Sequence, residues 1–281
     1  MNSIPKVKKA SGELEPFNKV KLEGSLRRAG ANSEEVEDVV SDIMQWISEG
    51  VTTKSIYTKA FGLLRKQKRS LAARYSLKNA LMELGPTGFP FEHFIGQIFK
   101  LQGFQVEVGQ ILQGLCVTHE VDVVATKGDT QCLVECKFHN SPGKISNVQT
   151  PMYVRSRVDD IVKKRRTIPP YSSFTFEGWL VTNTRFTSDA QDYGKCAGLN
   201  LLSWDYPLGN SLKEIIEKER LFPVSTITQL SKSEKQQLYN RGIVLCQQLV
   251  EQPDALDSFG FSAVKLQNVI SEAADLCHRL T

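Results

Sequence analysis

The stretch His119-Glu-Val-Asp-Val-Val-Ala-Thr-Lys-Gly-Asp-Thr-Gln-Cys-Leu-Val-Glu-Cys-Lys137 constrains this chain more than any other. Two runs rich in β-branched residues meet at Gly128-Asp129, a pair suited to a two-residue hairpin loop because its leading glycine adopts backbone angles closed to other residues. Such a loop pairs Lys127 with Thr130, and counting back sets Asp122 opposite Glu135. Directly opposed residues share a sheet face with Cβ atoms about 5 Å apart, and Lys137 joins them by the two-residue period of a strand. Val121, Val123, Cys132, Val134 and Cys136 then fall on the other face. Two carboxylates and a lysine on one face suit phosphodiester hydrolysis, in which a hard cation held by carboxylate oxygens activates water and offsets phosphate charge. The same pattern fits a half-solvated hairpin with ordinary cross-strand charge pairs, Glu120 opposite Lys137 for instance. Spacing alone leaves both readings open.

Around this hairpin the chain divides into three. Val7 to Leu14 reads as a short hairpin about Ser11-Gly12. Apolar residues at helical spacing follow: Val20, Leu22, Leu26 and Ala29, then Val36, Val39, Val40, Ile43, Met44 and Ile47 behind Ser33 as N-cap. Helices are predicted from about Thr53 to Lys66 and Ser70 to Leu84. The cluster Gly85-Pro-Thr-Gly-Phe-Pro90 then breaks the pattern and sets a boundary. Beyond it come a helix over Phe91 to Gly103, the central strands, a helix over Val148 to Arg165, the strand Gly178 to Thr182, a helix from Ser188 and the strand Leu201 to Trp204. This order predicts an α/β sandwich. Helical spacing returns over Leu230 to Leu249 and Ser262 to Leu280, a segment equally suited to core packing, dimerisation or DNA contact. The units predicted are residues 1–85, 86–207 and 208–281.

Asp122, Glu135 and Lys137 match the Asp…Glu-x-Lys core of the restriction-endonuclease-like nucleases, and their context resembles the Mrr-like branch. The run Phe89 to Val106 is similar to that branch's opening helix, whose glutamate points toward the metal site; Glu92 is the matching position. Gln149 and Tyr153 fit a Gln-x-x-x-Tyr pattern found in some relatives on the helix after the core. The resemblance, over about residues 86 to 207, implies a Mg²⁺- or Mn²⁺-dependent endonuclease acting on DNA. In it Asp122 and Glu135 hold the metal, Lys137 serves the attacking water, and Glu92 with Gln149 completes or positions the site. Lys144, Arg155, Arg157, Lys163, Lys164, Arg165 and Arg166 form a basic set that fits a phosphate backbone or, equally, a wet helix face.

The N-terminal run Val7-Lys-Lys-Ala-Ser-Gly12, with Glu15-Pro-Phe-Asn18 and Lys21, resembles the opening of an ATP-cone, a nucleotide-binding regulatory module that is mostly helical with a small β-hairpin. The resemblance implies ATP or dATP as regulatory ligand, with Val7, Lys9, Glu15, Asn18, Lys21, Thr53 and Ile56 as its contacts. Lysines counter triphosphate charge, and short polar side chains near a helix start suit base or sugar.

Composition narrows the remaining choices. With 41% apolar and 23% charged residues the chain is expected to fold nearly throughout. No run of about 18 apolar residues occurs and no hydrophobic stretch follows the basic start, which predicts a cytoplasmic protein with no membrane partner. The six cysteines lack metal-ligand spacing and read as reduced core thiols. A net charge of +4 permits nucleic acid without requiring it. The expectation is a nucleotide-regulated endonuclease, with a second copy of the chain among its partners as a homo-oligomer; the alternative is a nucleotide-responsive binding protein whose nuclease-like part grips nucleic acid without cutting.

Overall fold

A computed structural model describes residues 4–9, 11–141 and 143–277. The expected N-terminal hairpin joins β1 (Lys6–Lys8) to β2 (Leu14–Pro16), with Gly12 at φ 89° in the turn and Ala10 outside the described residues. The helix α1 (Lys19–Arg28) is capped by Asn18, whose side chain accepts from the Lys21 amide at 2.9 Å. Asn32, rather than Ser33, caps α2 (Ser33–Trp46), because Glu35 reaches back to the Asn32 amide and completes a capping box. Val20 and Met44, expected in the apolar stripes, are exposed.

After α3 (Thr53–Gln67), the single helix predicted up to Leu84 is instead two, α4 (Arg69–Tyr75) and α5 (Leu77–Met82). They part at Ser76, whose hydroxyl donates to the Ala73 carbonyl at 2.9 Å and so competes with the helical ladder. The first part of the chain has its own core, which runs from Val7 through Leu26, Val39, Ile43 and Leu64 to Ala72. Ala73 already belongs to the next core. The change of core therefore falls inside α4, ahead of the Gly85–Pro90 breaker segment.

The central sheet begins after α6 (Phe89–Leu101). Its strands β3 (Gln105–Gln113), β4 (Thr118–Lys127) and β5 (Thr130–Lys137) form an antiparallel meander. Beyond the short β6 (Ile145–Ser146) come α7 (Gln149–Arg165), β7 (Thr175–Thr182), β8 (Arg185–Phe186), α8 (Ser188–Cys196) and β9 (Leu199–Leu202). The strand order is β3-β4-β5-β7-β9, with β7 parallel to both β5 and β9, while β6 and β8 pair separately. Phe91, Phe94 and Ile95 of α6 pack against Val123, Ala125 and Val134 on one face. On the other, Val154, Val158 and Ile161 of α7 and Ala190 of α8 cover Val121, Val124, Leu133 and Leu180. Helices on both faces of a mixed sheet give the expected α/β sandwich.

A turn between β3 and β4 fixes α7 on this sheet. The Asp160 carboxylate accepts from the Cys116 amide at 2.9 Å and the Val117 amide at 3.3 Å, and meets His119 Nε2 at 2.8 Å. A methyl group on Gly114 would come within 2.6 Å of the Val117 carbonyl oxygen and press on the Asp160 carboxylate. Gly114→Ala is thus expected to cost about 1–3 kcal/mol in urea unfolding; an unchanged midpoint would mean that the turn relaxes freely.

The remaining helices are α9 (Leu212–Glu219), α10 (Lys232–Asn240), α11 (Cys246–Glu251) and α12 (Ala263–Cys277). The helix predicted over 230–249 is broken by a turn in which Gly242 adopts φ 72°; the predicted continuation of the last helix to Leu280 lies outside the described residues. Phe222, Leu238, Leu249 and Leu276 share one core with α6, so these helices close the sheet's own core. Cys132, Cys136 and Cys246 are buried as expected, but Cys116 and Cys196 are exposed. No helix among the described residues is long and apolar enough to cross a membrane.

Candidate active site

The β4–β5 ladder runs from Lys127↔Thr130 to Val123↔Val134, the register that a two-residue Gly128-Asp129 loop demands, with Gly128 at φ 55°. One step further the ladder opens, and Asp122 uses the gap: its Oδ2 accepts from the Cys136 amide at 2.6 Å. The β3–β4 ladder is interrupted at the same level. Val108 pairs with Val123 and Gln110 with Val121, but Gly109, at φ 65°, and Asp122 are left out. The register is the same on both sides of this gap, so neither strand gains a residue, yet the side chains exchange faces across it. Val121 accordingly lies with Val124 and Leu133 under α7, not with Val123 as strict alternation implied.

Three carboxylates share this region. Glu135 is half-buried, and its Oε2 accepts from Arg157 Nη1 at 2.6 Å. Burial and the neighbouring Asp122 nonetheless push its pKa up to about 7, outweighing the Arg157 and Lys137 charges. Burial also raises Asp122 above the usual carboxylate range, against the Cys136 hydrogen bond and the Arg157 charge. Glu92, in the first turn of α6, is pushed up to about 7 by burial and then by Asp122, Glu120 and Glu135. Gly88 makes room for it, since a Cβ there would lie 2.8 Å from the Glu92 Oε1.

Lys137 is exposed at the end of β5, and its charge reaches both Asp122 and Glu135. Its backbone is held from the neighbouring strand: Thr182 Oγ1 donates to the Lys137 carbonyl at 2.7 Å. Just beyond, Asn183 accepts from the His139 amide at 2.8 Å and donates to the His139 carbonyl at 2.9 Å. That buried clamp fixes where β5 ends.

Gln149 stands exposed in the first turn of α7, its amide accepted by Asn147 Oδ1 at 3.2 Å, and it bonds none of the three carboxylates. Tyr153 and Arg157 follow at four-residue intervals on the same stripe, and the guanidinium lies 5.3 Å from the Tyr153 ring centroid. Arg157, read from the sequence as one member of a basic set, is instead paired with Glu135 and also donates to the Glu120 carbonyl. The i, i+4, i+8 spacing from Gln149 was the available signal. Glu120, read as a cross-strand partner of Lys137, instead adds its field to that of the carboxylates. Among the described residues, no three histidine, cysteine, aspartate or glutamate groups converge on one point as a ready metal cage.

In the N-terminal part, Lys9 pairs with Glu15 at 2.7 Å and Glu13 at 3.3 Å, and Lys21 adds its charge to Glu15. Lys21 and Thr53 are exposed. Val7 and Ile56 are core residues, and Asn18 is occupied as the cap of α1.

The family described as Restriction endonuclease matches residues 86–206, and that described as AF1548-like, C-terminal, matches residues 222–277. An uncharacterized protein of Archaeoglobus fulgidus is 33% identical over 180 residues, which span 64% of this chain and 97% of that one. A crystal structure described as the protein of unknown function AF1548 superposes with a TM-score of 0.56 at 31% identity, covering 68% of this chain and 98% of its own. The restriction endonuclease MspJI, in complex with a 27-mer oligonucleotide, overlaps at a TM-score of only 0.33 and 15% identity, over 62% of this chain and 36% of its own, which is too little to argue from.

Proposed function

The chain belongs to the AF1548-like family, and because residues 86–206 match a restriction endonuclease domain we propose that it hydrolyses DNA phosphodiester bonds with a divalent cation. The observation that carries this reading is the gathering of Glu92, Asp122 and Glu135, in which the Asp122 charge raises the proton affinity of both glutamates, with Lys137 at their edge. Such a set fits Mg²⁺ or Mn²⁺: its donors are hard oxygens, and its mutual repulsion is what a dication relieves. Asp122 and Glu135 would hold the ion, which supplies charge neutralisation at the phosphate and a more acidic water. Lys137 orients the attacking water and carries positive charge toward the phosphate. Glu92, deprotonated as pH rises through about 7, takes up a proton or positions a second water. Gln149 and Tyr153, exposed on the α7 stripe, face arriving substrate.

A binding protein that does not cut is the second reading, favoured by one observation: the Arg157 guanidinium already pairs with Glu135. Plasmid incubated with the purified protein and Mg²⁺ or Mn²⁺, with and without ATP, separates them. Nicking or linearisation supports hydrolysis; a mobility shift alone supports binding.

The regulatory half of the proposal is that ATP or dATP binds the N-terminal hairpin and helices, where Lys9, Lys21 and Thr53 offer polar contacts and Glu15 sets the Lys9 position. Val7 and Ile56 would enter only as the apolar wall behind them, and Asn18 only by exchanging its capping bond. Both family matches lie beyond residue 85, so this half rests on the N-terminal residues alone. Calorimetry on the full chain is expected to show ATP binding that weakens several-fold in Lys21→Met. No heat at millimolar ATP or dATP would overturn it.

A further inference from the structure

A second set of positive charges gathers far along the sequence from the hairpin, in a cavity of about 290 Å³ between α1, α4, α5, the end of the sheet and α9. Arg28, Arg74, Lys78 and Lys213 line it, against one carboxylate, Glu217. Among the described residues Glu217 pairs with Lys213, at 3.7 Å, and feels the Arg28 charge. Lys78 makes no ion pair among the described residues; its ammonium lies 5.6 Å from the Trp204 ring centroid. Arg74 is 8% exposed, yet only its Nη2 is bonded, to the Asp275 carbonyl at 3.3 Å. Its Nε and Nη1 find no partner among the described residues.

Buried cationic groups are ordinarily paired, because desolvation without a counter-charge costs several kcal/mol. Burial, with a neighbouring arginine in each case, depresses both Lys78 and Arg74 below their usual ranges, more than the Asp205 and Asp275 charges restore. The cavity also has aromatic walls. Tyr57 and Tyr75 stack at 5.2 Å between centroids and both line it, with Trp204. Guanidinium forks suit phosphate oxygens, and aromatic faces suit a planar base. The volume, about 290 Å³, falls just under the roughly 300–1,000 Å³ of small-ligand sites, which suits a mononucleotide rather than a dinucleotide or a nucleic acid strand.

We infer that this cavity binds a nucleoside phosphate, at a site separate from both the carboxylate cluster and the N-terminal hairpin. Its phosphate lies among Arg28, Arg74, Lys78 and Lys213, and its base lies against the tyrosine and tryptophan faces. Because the lining comes from the N-terminal helices, from Trp204 beyond β9 and from α9, the ligand ties the first core to the second.

Calorimetry on the full-length protein with AMP as probe, and inorganic phosphate as a second titrant, tests this. Lys78→Met is expected to weaken AMP binding at least tenfold, while Lys232→Met, exposed on α10 away from both proposed nucleotide sites, leaves it unchanged. Arg28→Gln and Lys213→Met, at the more open side of the cavity, give weaker losses and serve if Lys78→Met does not fold. Absence of AMP binding at millimolar concentration would overturn the inference, as would loss in Lys21→Met with none in Lys78→Met. Inorganic phosphate binding as tightly as AMP would also overturn it, by removing the role of the aromatic walls.

Discussion

Asp122→Asn, Glu135→Gln and Lys137→Met are each expected to slow plasmid cleavage by on the order of 10²–10³-fold, a loss of roughly 3–4 kcal/mol of transition-state stabilisation. The choice of asparagine at 122 follows from the geometry. Asp122 accepts the Cys136 amide at 2.6 Å where the β4–β5 ladder has opened, so alanine would leave a buried donor unpaired at about 1–3 kcal/mol. Asparagine keeps an oxygen there while losing the charge. Asp122→Asn should therefore be inactive with a near-wild-type urea midpoint, and Asp122→Ala inactive with a lowered one. Full cleavage by Asp122→Asn would remove Asp122 from the chemistry and leave it as a strand-end cap. Inactivity that tracks unfolding in all three variants would do the same for the whole cluster.

The hairpin that carries these residues was legible because a two-residue turn with a leading glycine admits few registers, and Lys127↔Thr130 then fixes every later pair. The α/β order was legible from periods of two and of about four. What escaped were features set by single backbone events. Gly109 breaks the β3–β4 ladder beside Asp122 and turns Val121 to the other face, which a period-2 count has no means to register. Ser76 and Gly242 break helices whose apolar spacing is continuous through them. Arg157 was hidden for another reason: it lies among several basic residues of α7, and only the fold shows which of them faces Glu135. Nor does composition reveal the cationic cavity, whose lining comes from residues as far apart in sequence as Arg28 and Lys213.

The largest effect on stability is expected from the same carboxylates. Glu92 and Glu135 have pKa values of about 7, above the ordinary 4.5. Between those values the folded state holds more protons than the unfolded one, so stability falls as pH rises through this window. Below about 4.5 both states are protonated and the contribution is complete; above about 7 both are ionised and it is lost. In EDTA, the melting temperature should therefore decline from pH 5 to pH 8, with a shallower decline in Glu135→Gln. A dication competes with those protons, so Mg²⁺ or Mn²⁺ should change little at pH 5 and stabilise strongly at pH 8. At a hundred times its dissociation constant the gain is about 2.7 kcal/mol, or roughly 5 °C. Arg157→Met sharpens the test. Removing the guanidinium 2.6 Å from Glu135 should lower the melting temperature in EDTA at pH 8 and enlarge the rise on adding Mn²⁺. If Mn²⁺ at millimolar concentration moves neither protein at pH 8, the carboxylates hold no metal and Arg157 is their permanent counter-ion.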